Sequence, residues 1–181
     1  MLPVSEFAMW GEMIVKTPYE PENLGTKVKT AGGVRIGAEI TSLERMRDRW
    51  LEGLALLDAA IAVAPPHKRA RNHRLRNLGA YIPHAIGTTI NTKRWWQVRT
   101  RLLVESDREV ASVLLDQLVA IGEAELANCA SAIPIVEADS RLGWEPTMEY
   151  LGDADHIRWK MAHLRHTLDD EVPRFRTSLT V

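Results

Sequence analysis

The sequence predicts an all-α fold: an up-and-down four-helix bundle, preceded by an irregular N-terminal arm with room for short strands. Three observations carry this. From Pro66 to Glu105, residues Leu75, Leu78, Ile82, Ala85, Thr89, Thr92, Trp96, Arg99 and Leu103 recur at alternating steps of three and four, the spacing of one helix face. Helix-stop and helix-start residues punctuate the chain at Pro65-Pro66, at Ser106-Asp107-Arg108-Glu109 and around Asp153. Charge is segregated: no Asp or Glu lies between Asp58 and Glu105, where nine of the 23 Lys and Arg stand, so all 24 acids fall on other segments.

Residues 1–40 form the arm and 41–181 the helical domain. Pro3, Pro18 and Pro21, with Gly11, Gly25, Gly32, Gly33 and Gly37, leave the first part no helical period. Strand-like pieces are readable at Glu12–Lys16 and Val34–Ile40, with a turn at Ala31-Gly32-Gly33. The first helix then starts from a Thr41 or Ser42 cap. It carries its stripe on Leu43, Met46, Trp50, Leu54, Leu57 and Ile61, and stops at the paired prolines.

The second helix is the longest, about 40 residues or roughly 60 Å at 1.5 Å each. Pro83 inside it predicts a kink near Gly79–Pro83 or two abutting helices. Ser106 with Glu109 reads as a capping box for the third helix, with Val110, Leu114, Gln117, Ile121, Ala124 and Asn128 inward and Pro134 as its stop near Ala132. A broken apolar loop, 133–153, leads to a last helix opened by Asp153 or Asp155. That helix buries Ile157, Met161 (or Lys160), Leu164 and Leu168 and ends at Pro173. The short connections make neighbours antiparallel.

With 181 residues, 45% hydrophobic and 26% charged, the chain is long enough to bury a core without cross-links. A net charge of −1 disfavours a generic nucleic-acid binder, although His67–Arg76 is a local cationic run. Cys129 stands among apolar residues and reads as a small buried hydrophobe. No apolar run has membrane-spanning length and the first residues lack a signal-peptide pattern, so the expected location is cytoplasmic. No cofactor is expected, since no nucleotide-binding glycine loop is present. His163 and His166, with Asp170 one turn on and His156 two turns back, are the nearest approach to a metal set. They lack matching ligands on other helices, so no metal is expected either.

Candidate ligand-binding residues fall in two groups. Thr88, Thr89, Asn91, Thr92, Lys93 and Arg94, followed by Trp95 and Trp96, could offer cations and amides to an anion beside a stacking wall. Glu137, Asp139, Arg141, Trp144, Glu145 and Glu149 lie on the 133–153 loop, where carboxylates of the type used in glycoside hydrolysis are concentrated. An anionic sugar is the ligand such a set would take, through a bidentate guanidinium. The same residues equally make a satisfied polar layer, because 15 acids from Glu105 to Glu171 are available to pair with Arg94 or Arg99. No pair of acids can be placed across a cleft, so no catalytic residue is assigned.

The stretch from about Leu43 to Arg176 resembles a helical region found toward the C-terminus of large bacterial proteins related to α-glucuronidase-like glycoside hydrolases. The pieces that carry the resemblance are Thr88–Trp96 (TTINTKRWW), Asn128–Tyr150 and Asp155–Lys160 (DHIRWK). It implies a non-catalytic accessory or oligomerisation module of a carbohydrate-processing protein, partnered by a second copy or by a catalytic barrel. The alternative is a small stand-alone enzyme or anionic-sugar-binding protein that uses the 137–149 acids with Arg94.

Overall fold

The computed structural model describes residues 31–139, 142, 144–145, 150–151 and 153–179, with backbone alone at 31–32, 144–145 and 150–151. These residues are almost wholly helical. Helices α1 (Ala31–Ala62), α2 (Pro66–Leu102) and α3 (Arg108–Ala138) are followed by two short strands, β1 (Trp144–Glu145) and β2 (Tyr150–Leu151). The strands pair antiparallel, Trp144 opposite Leu151 and Glu145 opposite Tyr150. Then come α4 (Ala154–His166), a π turn (Thr167–Glu171) and α5 (Val172–Ser178), continuous in sequence.

The arm boundary is corrected by α1, which begins at Ala31 and not at Thr41. The expected turn at 31–33 and strand at 34–40 are helix. The Glu12–Lys16 strand and the rest of residues 1–30 lie outside the described residues. Each glycine in a helix costs about 1 kcal/mol relative to alanine. Ile36 and Ile40, one turn apart, offset that cost by burying against Ile86 and Ile90 of α2. Thr41 and Ser42 are not caps. Their hydroxyls donate to the carbonyls one turn back, of Gly37 at 3.2 Å and Ala38 at 2.9 Å.

Pro65-Pro66 separates α1 from α2 as expected, but the other prolines of the helical region stop nothing. Pro66 sits at the start of α2, where its missing N–H would have had no partner. Pro83 lies inside α2, which continues through it. The carbonyl it leaves without a helical donor, that of Gly79, accepts from Trp50 Nε1 of α1 at 2.7 Å. Pro134 lies inside α3 on an exposed side, so the carbonyl it frees, on exposed Ala130, is open to water. Pro173 does not end the last helix. The turn before it widens, with Val172 N–H donating to Thr167 O five residues back, and the chain stays helical to Ser178.

The cap of α3 is Asp107 and not Ser106. Its side chain accepts from Glu109 N at 2.9 Å and Val110 N at 3.1 Å, while Glu105 Oε1 accepts from Ser106 N and Asp107 N. Asp153 caps α4 by accepting from His156 N at 2.9 Å, as one of the two expected openings.

Each long helix packs on its neighbour in sequence, and α5 returns to α3. Cross-helix pairs run in opposite order along the partners. Asp58 meets Arg76 and Glu39 meets Lys93; Asn128 meets His84 and Glu125 meets Asn91; Glu137 meets Arg158 and Glu123 meets Arg165. Consecutive helices are therefore antiparallel. One apolar cluster joins α1 to α2 around Ile36, Ile40, Ile86 and Ile90. The other joins α2, α3 and α5 around Leu102, Leu114, Leu115, Leu118 and Val172.

The expected stripes are rotated. α2 lies between α1 and α3, so it buries Ala80, Pro83, Ile86, Gly87, Ile90, Thr100 and Leu102, while Leu75, Leu78 and Leu103 are exposed. α3 likewise buries Ala111, Leu115 and Glu125 and exposes Val110, Val113 and Gln117. Thr100 is fully buried and its Oγ1 has no hydrogen-bond partner among the described residues. An isosteric Thr100→Val should therefore raise stability, by about 1 kcal/mol. A lower urea midpoint at unchanged m-value would show that the hydroxyl has a partner.

Candidate functional site

The structure does not bring the sequence-predicted site residues together. Arg94 is on the α1 side of α2 and donates to Glu44, and beside it Lys93 donates to Glu39 at 2.8 Å. The basic helix is thus neutralised in part within the chain, and at Lys93, Arg94 and Arg76 the acids come from α1 and not, as expected, from the last half. Arg76 completes the set with two bonds to Asp58, at 2.9 and 3.0 Å, which hold that carboxyl below its usual value. Arg99 is half-buried, and desolvation lowers its pKa.

Trp95 and Trp96 do not form one wall. Successive helical residues point about 100° apart, so Trp95 packs on the α2–α3–α5 cluster and Trp96 on the α1–α2 cluster. Glu137 is spoken for by Arg158 of α4, which also bonds Asp155 at 2.8 Å. Asp139 ends α3, with its N–H on Val136 O. Arg141 and Glu149 lie outside the described residues, as do the side chains of Trp144 and Glu145. His166 bonds Asp170 at 2.7 Å and His163 meets the Trp159 ring edge-on at 4.2 Å. Among the described residues no three His, Cys, Asp or Glu are placed to hold a metal ion.

The polar interior expected on α2 at Thr88 and Asn91 is satisfied, but sequence reasoning missed its partners, a cluster that ties α2, α3 and α4 together. At its centre is Glu125, 6% exposed. Its carboxylate accepts from Thr88 Oγ1 at 2.6 Å, Asn91 Nδ2 at 2.7 Å, Lys160 Nζ of α4, and the Cys129 thiol at 3.4 Å. Asn128, one turn along α3, donates through Nδ2 to His84 O at 3.0 Å and Thr88 Oγ1 at 3.1 Å. Its Oδ1 then accepts from His84 Nδ1 at 2.9 Å, which places the imidazole proton on Nδ1. Gly87 makes room: a Cβ there would stand 3.0 Å from Asn128 Oδ1. Thr88 and Asn91 share a helix face, and so do Glu125 and Asn128, a pairing visible in the sequence. The rotated α3 stripe hid it by leaving Glu125 outside.

Burial alone would raise the pKa of Glu125. Lys160's charge and the donors outweigh it, and the pKa lies below the usual carboxylate value. Lys160 is shifted up: burial opposes its charge, and Glu125 more than restores it. Burial pushes the Cys129 thiol to about 11. This arrangement is poorly suited to catalysis. The carboxylate's acceptor positions are taken by four donors, it stays ionised at neutral pH, and the thiol stays protonated.

A second feature is an open apolar cleft of about 410 Å³ between α1 and α2. Trp50, Leu54 and Leu57 form one wall, and Leu75, Leu78 and Ile82 the other. Gly53 and Gly79 line it without filling it, and Arg49 is its one charged lining residue. No helix among the described residues is long and apolar enough to cross a membrane. No family model, curated protein or solved structure matches the chain.

Proposed function

We propose that the chain is a non-catalytic helical association module, built as a four-helix up-and-down bundle and working through the α1–α2 face. The cleft carries this reading. It is walled by six apolar side chains, and among the described residues no acid, histidine, cysteine or hydroxyl lines it. The acids that would suggest catalysis point the same way, since Glu137 and Glu125 are held in ion pairs. A role in a bacterial carbohydrate-processing protein follows from the sequence resemblance alone.

Hydrolysis of a glycoside needs an acid and a second carboxylate about 5 to 10 Å apart across the scissile bond. The expected result with purified protein is no release from aryl glycosides, and no heat on titration with glucuronic acid, because Arg94 is occupied by Glu44. Turnover that disappears in Glu125→Gln or Glu137→Gln would overturn the module reading.

A further inference from the structure

Building on the association reading, we infer that the α1–α2 cleft takes an acidic amphipathic helix from a partner polypeptide. Its walls are two antiparallel ridges at helical spacing, Trp50-Leu54-Leu57 on α1 and Leu75-Leu78-Ile82 on α2. A third helix seats apolar side chains between such ridges.

The rim decides the charge of the occupant. Arg71 stands one turn before Leu75, and Arg74 one turn before Leu78, so these arginines flank the α2 wall. On α1, Arg49 lines the cleft itself. Arg71 and Arg74 are exposed, with no hydrogen bond or ion pair among the described residues. Arg49 has one exposed contact, with Glu52 at 3.4 Å. Of the other acids of α1, Asp58 is engaged by Arg76, Glu44 by Arg94 and Asp48 by Arg47. Lys68, Arg69 and Arg71 also lie in the first turns of α2, where the helix dipole disfavours cations. That is a local cost which no acid of α2 relieves, and a carboxylate-bearing partner would.

A second copy meets this face poorly, because it would set one arginine rim against another. A nucleic acid could use the rim, but it would leave the leucine and tryptophan walls facing its phosphates.

The test uses the full chain and fluorescein-labelled helix-forming peptides of about 18 residues, or five turns. They share one leucine stripe and carry either Glu or Lys along both flanks. Anisotropy should show saturable binding of the Glu peptide, weakening with salt, and none of the Lys peptide. The exposed double variant Arg71→Glu/Arg74→Glu should lose about tenfold or more in affinity for the Glu peptide and gain binding of the Lys peptide. Leu78→Asn, at a half-exposed position, should lose both. Circular dichroism controls for folding. Equal binding of both peptides would overturn acid selection and leave the association reading standing. Binding of a single-stranded oligonucleotide in place of peptide would overturn the inference, as would concentration-dependent dimerisation sensitive to the arginine variants. Failure of every probe would overturn the inference and the association reading together.

Discussion

Ile90→Ala should destabilise the protein by about 3 kcal/mol, within the range for emptying a buried aliphatic site. Ile90 is fully buried among Ile36, Ile40 and Ile86, with Leu43, Ile82 and Trp96 around them. The cluster is small and rigid on two helices, so little can collapse into the space. Its particular value is that half of it comes from residues 31–40, which read as an irregular arm in the sequence. Urea titration of Ile90→Ala, Ile36→Ala and the double variant forms a cycle. A coupling above about 0.5 kcal/mol is expected for residues that pack together. Additive effects, or an Ile90→Ala cost below about 1 kcal/mol, would detach the first turns of α1 from α2.

The second large effect is expected at Glu125. Glu125→Leu leaves the Thr88 hydroxyl, the Asn91 amide and the Lys160 ammonium without their shared acceptor. Breaking a buried ion pair costs about 3 to 5 kcal/mol. Lys160 keeps 41% of its side chain exposed, so the lower end, about 3 kcal/mol, is expected. Adding Lys160→Met should recover part of the loss, because a charge left alone is costlier than none.

The pH dependence has a definite sign. Glu125 has a lowered folded-state pKa, so its contribution is complete above the ordinary value of 4.5 and is lost as pH falls through the lowered one. Lys160 has a raised one, so its contribution is complete below 10.5 and is lost as pH rises through the raised one. The gap in stability between wild type and Glu125→Gln should be constant near neutrality and shrink in acid. A gap that stays constant below pH 4.5 would show that Glu125 is not stabilised in its charged form.

The existence and order of the long helices were legible because each repeats one chemical pattern over many turns, and for α2 the extent was legible as well. α2, expected at about 40 residues, spans 37. The last helix opens where Asp153 can cap it. Cys129 is buried, as its apolar neighbours implied. The arm boundary, the effect of Pro83, Pro134 and Pro173 and the phase of the α2 and α3 stripes were not legible, and the reasons differ. Gly32, Gly33 and Gly37 report only local propensity, which the burial of Ile36 and Ile40 overrides. A proline breaks a helix only where its freed carbonyl finds no other donor, and the donor for Gly79 is Trp50, 29 residues away. The phase of a stripe assumes one buried side, whereas α2 has neighbours on two.

The same division holds for the candidate sites. The sequence alone determined that the chain is helical, that α2 is a block of cations without acids, and that acids elsewhere must partly neutralise it. It could not say which acids, because ion pairs between helices depend on which faces meet. α1 supplied Glu39, Glu44 and Asp58 to α2, while the expected loop acid Glu137 went to Arg158. Nor could it show that Arg71 and Arg74 remain without an acid beside an open apolar cleft. That depends on how α1 and α2 meet: Gly79 lets Leu54 come close, since a Cβ there would stand 3.0 Å from Leu54 Cδ2, and only packing in three dimensions puts the two walls on one gap.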